Sequence, residues 1–376
     1  MRTSAAPPVP ETSILFDPRA LGYSACRIPA LVATGSGALL AFCEARRGQG
    51  GDWDLIDLLM RRSTNGGATW EPARTLAEGG AGLAGNPTPI GDRNGAVHLL
   101  YQRDYGRAFY RRSDDDGATW SAPRDITDVF ERFRPEYGWR VLAPGPGHAI
   151  QLRSGRLLVP VWLSTGEGAE FGAGRLGHRP SVVATVFSDD AGATWRRGRI
   201  VVRDSAEVRN PSESVAMEMQ DGRVLLNIRS ESPRSRRLVA TSPDGAAGWS
   251  EPRFHDELFE PVCMASLIRV GQGPGGRNRV LFANPDSRNA ATSPGGPGRR
   301  ENLTIRLSHD DGETWPVSKV LEPGPAGYSD LAAGADGAIF CLYEGRAREG
   351  DRLLNTHLSL ARFDLNWLTG GGNDGE

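Results

Sequence analysis

The chain has 376 residues, of which 39% are hydrophobic and 24% charged, the make-up of an ordinary soluble globular protein. A net charge of −2 gives no global pull toward nucleic acid or an anionic membrane. No apolar run approaches the roughly 18 residues of a membrane span, and Met1–Ser13 has no apolar secretory core, so a cytoplasmic protein without membrane insertion is expected.

Strand-like hairpins then recur along the chain. The first joins Ile28-Pro-Ala-Leu-Val-Ala to Gly37-Ala-Leu-Leu-Ala-Phe and runs on to Ser63-Thr-Asn-Gly-Gly-Ala-Thr-Trp70. The second has its strand at Gly95 and closes on Ser113-Asp-Asp-Asp-Gly-Ala-Thr-Trp120. The third opens at Gly155 and ends in Ser188-Asp-Asp-Ala-Gly-Ala-Thr-Trp195. A fourth, at Gly222, ends in the degraded copy Ser242-Pro-Asp-Gly-Ala-Ala-Gly-Trp249. The fifth opens on Asn278 instead of glycine and closes on Ser308-His-Asp-Asp-Gly-Glu-Thr-Trp315. The sixth, at Gly337, keeps only a remnant around Ser359 to Trp367. Gly37 and Gly337 lie 300 residues apart over five intervals, a mean period of 60. A period that long and regular means one supersecondary unit repeated around an axis.

Asp221-Gly222, Ser154-Gly155 and Asp336-Gly337 supply tight hairpin turns. In the stereotyped Ser-x-Asp-x-Gly-x-Thr-Trp turns, Asp can bond backbone N–H groups two residues on, Gly takes the positive φ and Trp packs beneath. They read as structural clips without catalytic meaning. About 60 residues hold four strands with their turns, and such sheets arranged radially protect their edges by closure. The expected fold is therefore all-β, a six-bladed β-propeller with four-stranded antiparallel blades over residues 13–369, flanked by flexible segments at 1–12 and 370–376. Stretches 271–276 and 293–298, rich in Pro and Gly, read as surface loops. Cys26, Cys43, Cys263 and Cys341 lie in apolar runs without metal-ligand spacing, which predicts reduced, buried thiols and no cofactor.

The phase of the repeat has a chemical consequence. Residues about nine before and seven after each glycine face each other at the open end of the hairpin. This pairs Arg27 with Glu44, Asn86 with Gln102, Glu213 with Arg229 and Tyr328 with Glu344, and sets His148 against Trp162. Third strands return to the same end, and their starts carry Asp52 and Arg300. Lys319 is the only lysine beside 43 arginines, so a lone arginine says little, but Arg27, Arg229 and Arg300 at one mouth suit a carboxylate or phosphate held by planar forks. Glu213 beside Tyr328 suggests a base next to a phenol that is otherwise inert at neutral pH. Asp52, flanked by Gly50, Gly51 and Trp53, reads as an acid whose pKa is raised by partial burial. Glu44 or Glu344 would orient Arg27. A scaffolding propeller needs no such set, and strand ends that are merely solvated would not place it in phase.

On these residues the chain resembles, over essentially its whole length, the exo-α-sialidases (neuraminidases) of glycoside hydrolase family 33. The clips resemble that family's Asp boxes. More specific are Cys26-Arg27-Ile28-Pro29, Glu44-Ala-Arg46 followed by Asp52, Asn227-Ile-Arg229-Ser230, Arg300-Glu-Asn-Leu, Tyr328-Ser-Asp-Leu331 and Leu342-Tyr-Glu344, in this order. The resemblance implies that Arg27, Arg229 and Arg300 clamp the carboxylate of a sialic acid on a sialylated glycan, with Arg46 and Asn86 also on the substrate side. It implies Tyr328 as nucleophile, Glu213 as its activator and Asp52 as general acid/base, with Glu344 holding Arg27 and Glu44 supporting the Asp52 loop. A phenol suits this carbon because the sugar's own carboxylate would repel a carboxylate nucleophile, and two displacements give retention. Trp162 and His148 would shape the glycerol or N-acetyl side. The chain departs from the pattern at Cys26, where an aromatic residue is common, and at Ser214-Val-Ala, where Cys-Gln-Val usually follows the glutamate. The alternatives are a hydrolase of a deaminated 2-keto sugar acid, a trans-sialidase, and a non-catalytic glycan-binding propeller; the last would be expected to lack Tyr328, Glu213 or Asp52.

Overall fold

Inner strands of this chain read as almost continuous apolar runs, and the reason is visible in their surroundings. All eight residues of Leu39–Arg46 are buried, because sheets stacked around an axis cover both faces of the strands between them. The computed structural model describes residues 9–168, 175–272, 278–288, 299–345, 348–349, 352–353 and 356–371. The Pro/Gly-rich stretch 293–298, most of 271–276 and the tail from 372 lie outside them.

The first sheet runs from Ala25–Ala33 through Leu39–Arg46 and Ile56–Ser63 to Arg74–Ala77, in sequence order and antiparallel throughout. The second repeats this with Ala84–Gly91, Val97–Arg103, Arg107–Ser113 and Arg124–Asp125. In the third, the inner strand is split into Val141–Pro144 and Ile150–Gln151, both pairing with Leu157–Glu167, followed by Arg179–Ser188 and Arg196–Arg203. The fourth comprises Ser214–Glu218, Val224–Ile228, Arg236–Ser242 and Arg253–Phe259.

The expectation of six separate four-stranded blades is not met. Four such sheets are joined by one seven-stranded sheet, which holds Ser266–Gln272, Asn278–Pro285, Glu301–Ser308, Val317–Ala333, Ile339–Gly345, His357–Phe363 and Glu11–Phe16. The cause is the 17-residue strand Val317–Ala333, whose first part pairs with Glu301–Ser308 and whose second part pairs with Ile339–Gly345. Glu11–Phe16 pairs with His357–Phe363, so one sheet contains strands from both ends of the chain. No helix among the described residues is long and apolar enough to cross a membrane.

The clips behave as mechanical parts. Asp115 Oδ1 accepts from Ser113 Oγ and Thr119 N–H, both at 2.8 Å, and Oδ2 accepts from Thr119 Oγ1 at 2.6 Å. Asp190 and Asp310 repeat the pattern. The aspartate thus reaches four residues on, farther than the two expected, because the glycine bend folds the threonine back over it. All four cysteines are buried and unpaired.

One buried carboxylate ties sheets together at the axis. Asp330 accepts from the N–H groups of Leu31 and His148 at 2.8 Å, from His148 Nδ1 at 2.6 Å and from Ser266 Oγ at 2.8 Å. Leu31 belongs to the first sheet and Ser266 to the seven-stranded one, while His148 stands in the segment between the two inner strands of the third.

Candidate active site

Inner strands reach the mouth of the ring with a bulge just where the chemistry-bearing residues stand. Register shifts occur between Arg27 and Ala30, between Gly85 and Thr88, and between Ala326 and Ser329. Ile28 and Asn86 lie inside two of these bulges at φ +56 and +55. Such backbone is strained for a β-branched residue by about 1–3 kcal/mol, and bulges re-aim side chains beside functional sites.

Two buried glutamates hold the bulges open. Glu344 Oε1 accepts from Ile28 N–H and Arg27 Nε, both at 3.1 Å, while Oε2 accepts from Tyr328 N–H at 3.3 Å. Glu44 Oε1 accepts from Asn86 N–H at 2.8 Å, and its Oε2 accepts from Arg46 Nε and Nη2 at 3.0 and 2.6 Å. Burial pushes the Glu44 carboxyl up in pKa despite Arg46. Each carboxylate needs a glycine opposite: a Cβ on Gly85 would lie 2.4 Å from Glu44 Oε1, and one on Gly327 would lie 2.3 Å from Glu344 Oε2.

The result is one pocket. Arg27, Glu44, Arg46, Asp52, Asn86, Glu213, Arg229, Arg300 and Tyr328 all line it, and Glu344 lies directly behind Arg27. Arg27 faces Glu44 in register, as the hairpin phase predicts, and Arg229 N–H donates to the Glu213 carbonyl at 3.0 Å. Tyr328 is the centre of the arrangement. Its hydroxyl donates to Glu213 Oε1 at 2.5 Å and accepts from Arg229 Nη1 at 2.7 Å. The guanidinium carbons of Arg300 and Arg27 lie 5.0 and 5.5 Å from its ring centre. Arg229 Nη1 also bonds Glu213 Oε2, yet its buried Nε has no hydrogen-bond partner within the chain.

Burial raises the Tyr328 phenol well above its ordinary value, with Glu213 adding to the rise and Arg229 and Arg300 opposing it. Arg229 and Arg300 are held charged by their neighbours. Asp52 differs from the expectation of a raised pKa. Burial does push its carboxyl up, but Arg46, Arg27 and His178 outweigh this and hold it well below the usual carboxylate range. Arg46 Nη1 lies 2.6 Å from Asp52 Oδ1 and 3.0 Å from the Gly50 carbonyl, and Arg27 Nη1 lies 3.5 Å from the same carboxylate. Each of these Arg46 bonds runs to a protein group, so the residue braces the Asp52 loop.

Gln102 and His148, also named by the hairpin phase, do not line the pocket; Gln102 donates from its Nε2 to Asn86 Oδ1 at 3.2 Å. The segment 145–149 interrupts the inner strand, so Trp162 pairs with Ala143 instead, and the His148 side chain turns to Asp330. Trp162 does line the pocket, beside Tyr105 and His178 at 6.2 and 5.2 Å between ring centres. Hairpin phase also missed Tyr105, His178, Ser181, Asn210, Ser212, Arg179 and Glu231, which complete the lining. Most sit on connections between strands, where a period of two carries no information; Tyr105, at φ +50 in a turn, left no sequence signal.

Residues 37–341 match the family described as BNR repeat-like domain. A sialidase of Micromonospora viridifaciens is 33% identical, over 93% of this chain and 53% of its own length. Sialidase-3 of Bos taurus is 30% identical, over 87% of each chain. A Hadza microbial sialidase, Hz136, superposes with a TM-score of 0.75 at 27% identity, covering 95% of this chain and 69% of that one. The chain thus spans about half of the Micromonospora protein and most of the bovine one.

Proposed function

We propose, from the premise that the chain belongs to the exo-α-sialidase family and is a glycoside hydrolase, that its mouth pocket releases terminal sialic acids with retention through a tyrosyl intermediate. The observation that carries this reading is the set of three guanidiniums around one buried phenol, Arg229 at 2.7 Å from its oxygen and Arg300 and Arg27 over its ring. Planar forks of one sign suit a carboxylate, and in a sialic acid that carboxylate sits on the reacting carbon itself. Tyr328 Oη would attack that carbon while its proton passes to Glu213, already 2.5 Å away. The raised phenol pKa makes this relay necessary, since a free phenolate is disfavoured there.

Asp52 would give a proton to the departing oxygen and later take one from the water that releases the sugar. Its low pKa belongs to the pocket in which Arg27 faces it. A substrate carboxylate that engages Arg27 offsets that charge and lets the Asp52 value climb toward the working range. Trp162, which lines the pocket, offers an apolar face to the acyl-bearing side of the sugar.

The test is hydrolysis of α-2,3-, α-2,6- and α-2,8-linked sialosides and a deaminated analogue, followed by proton NMR of the first-formed product. Appearance of the α-anomer before mutarotation is the expected result. First appearance of the β-anomer, or no release from any of them, refutes the double-displacement reading.

A further inference from the structure

Behind the pocket lies an ion pair that no part of the proposed chemistry uses. Arg237 is fully buried and Glu260 is 2% exposed, and Arg237 Nη1 donates to Glu260 Oε2. The desolvation penalty of two such charges can exceed their attraction, and well-packed apolar residues of similar volume are often at least as stable. A role in stability therefore explains the pair poorly. Its partners point elsewhere.

On one side, Arg237 Nε donates to Asn227 Oδ1 at 2.7 Å. Asn227 lies in the strand Val224–Ile228, which runs directly into Arg229. On the other side, Glu260 Oε1 accepts from Cys263 N–H at 2.8 Å, and Arg237 Nη1 donates to the Cys263 carbonyl at 3.0 Å. These bonds close a turn in which Val262 is held at φ +58, backbone that a β-branched residue adopts only when its surroundings impose it. The carbonyl of Val262 accepts from Arg300 Nη2 at 2.7 Å. An unbroken series of contacts thus joins the strand carrying Arg229 to the anchor of Arg300.

We propose that Arg237 and Glu260 are positioning residues that fix the separation between Arg229 and Arg300, and with it the fit of the arginine trio to a single carboxylate. The inference rests on the reading that these arginines bind the substrate's acid group. A clamp built from planar forks is sensitive to placement, since errors of about 1 Å in a positioned group can cost up to about a hundredfold. A pair held rigidly inside the sheet keeps that placement without entering the pocket.

The experiment compares wild type, Arg300→Ala, the double replacement Arg237→Met/Glu260→Leu, and the triple variant, using an aryl α-sialoside and thermal unfolding. Arg300→Ala tests the clamp reading alone: an unchanged KM sinks that reading whatever the other variants do. With the clamp intact, the double replacement should fold but melt several degrees below wild type, because Asn227 Oδ1 and the Cys263 N–H and carbonyl lose these partners. It should raise KM about tenfold, leave kcat within about twofold, and add nothing further in the Arg300→Ala background. An unchanged KM, or a loss that multiplies in full with that of Arg300→Ala, overturns the inference. Should the double replacement not fold, Glu260→Gln decides by the same criteria, because it keeps the side chain's size and an oxygen for the Cys263 N–H. Its expected KM rise is about threefold, again absent in the Arg300→Ala background.

Discussion

Replacing Tyr328 by Phe removes a single oxygen from the centre of the pocket, and the surroundings decide what that oxygen is worth. The hydroxyl donates to Glu213 and accepts from Arg229, while Glu213 and Arg229 also bond each other directly. The variant therefore leaves neither charge without a partner, and its stability should fall by only about 1–2 kcal/mol. The ring remains beneath Arg300 and Arg27, whose guanidinium carbons stand 5.0 and 5.5 Å from its centre, so the clamp keeps its floor. Binding of a sialoside should accordingly change less than about threefold. Turnover should fall by at least about a thousandfold, or roughly 4 kcal/mol of transition-state stabilisation, because the oxygen assigned as nucleophile is gone. Steady-state hydrolysis of an aryl α-sialoside together with titration calorimetry of a non-hydrolysable analogue measures both quantities. A kcat within tenfold of wild type refutes the nucleophile assignment, and a large loss of affinity with kcat preserved refutes the division of labour between ring and hydroxyl.

Asp52→Ala should slow a natural sialoside by about 10²- to 10⁴-fold but a nitrophenyl sialoside much less, because a good leaving group needs no proton; equal losses on both substrates reject the acid role. Asp330→Asn should lower stability by about 3–5 kcal/mol, since four of the bonds that tie the sheets at the axis end on its two oxygens. The His148 pKa is raised, because Asp330 outweighs the lowering effect of burial. The pair's contribution is then complete below the ordinary histidine value of about 6.5 and lost as pH rises through the higher folded value. The melting-temperature gap between wild type and this variant should accordingly be wider at about pH 6 than at about pH 9, and a constant gap counts against the charged pair. Asp115→Ala should lower stability by about 1 kcal/mol and leave kcat and KM unchanged; any loss of activity beyond twofold would show that this clip does more than hold a turn.

The hairpin phase made much of the site legible because a strand alternates faces strictly and glycine fixes where the count begins. Arg27 against Glu44, and Glu213 against Arg229, follow from that count alone. Where the period was broken, the reading failed for identifiable reasons. The 60-residue period implies six separate sheets, yet the fifth and sixth units share the continuous strand Val317–Ala333, which runs through Pro323, Gly324 and Pro325. The segment 145–149 shifted the third hairpin and sent His148 to the axis. Asp52 sits in a loop, and the low pKa that Arg46 and Arg27 impose depends on distances across strands that a linear text does not hold. The wall formed by His178, Asn210 and Glu231 stands on connections and left no signal for the same reason.

Tyr328 stands on the longest strand among the described residues, bonded along one length to Glu301–Ser308, which follows directly from Arg300, and along the other to Ile339–Gly345, which carries Glu344 next to its end. That beam is welded on both sides. The attacking oxygen and two of the groups that frame it are therefore carried by three adjacent strands of a single sheet.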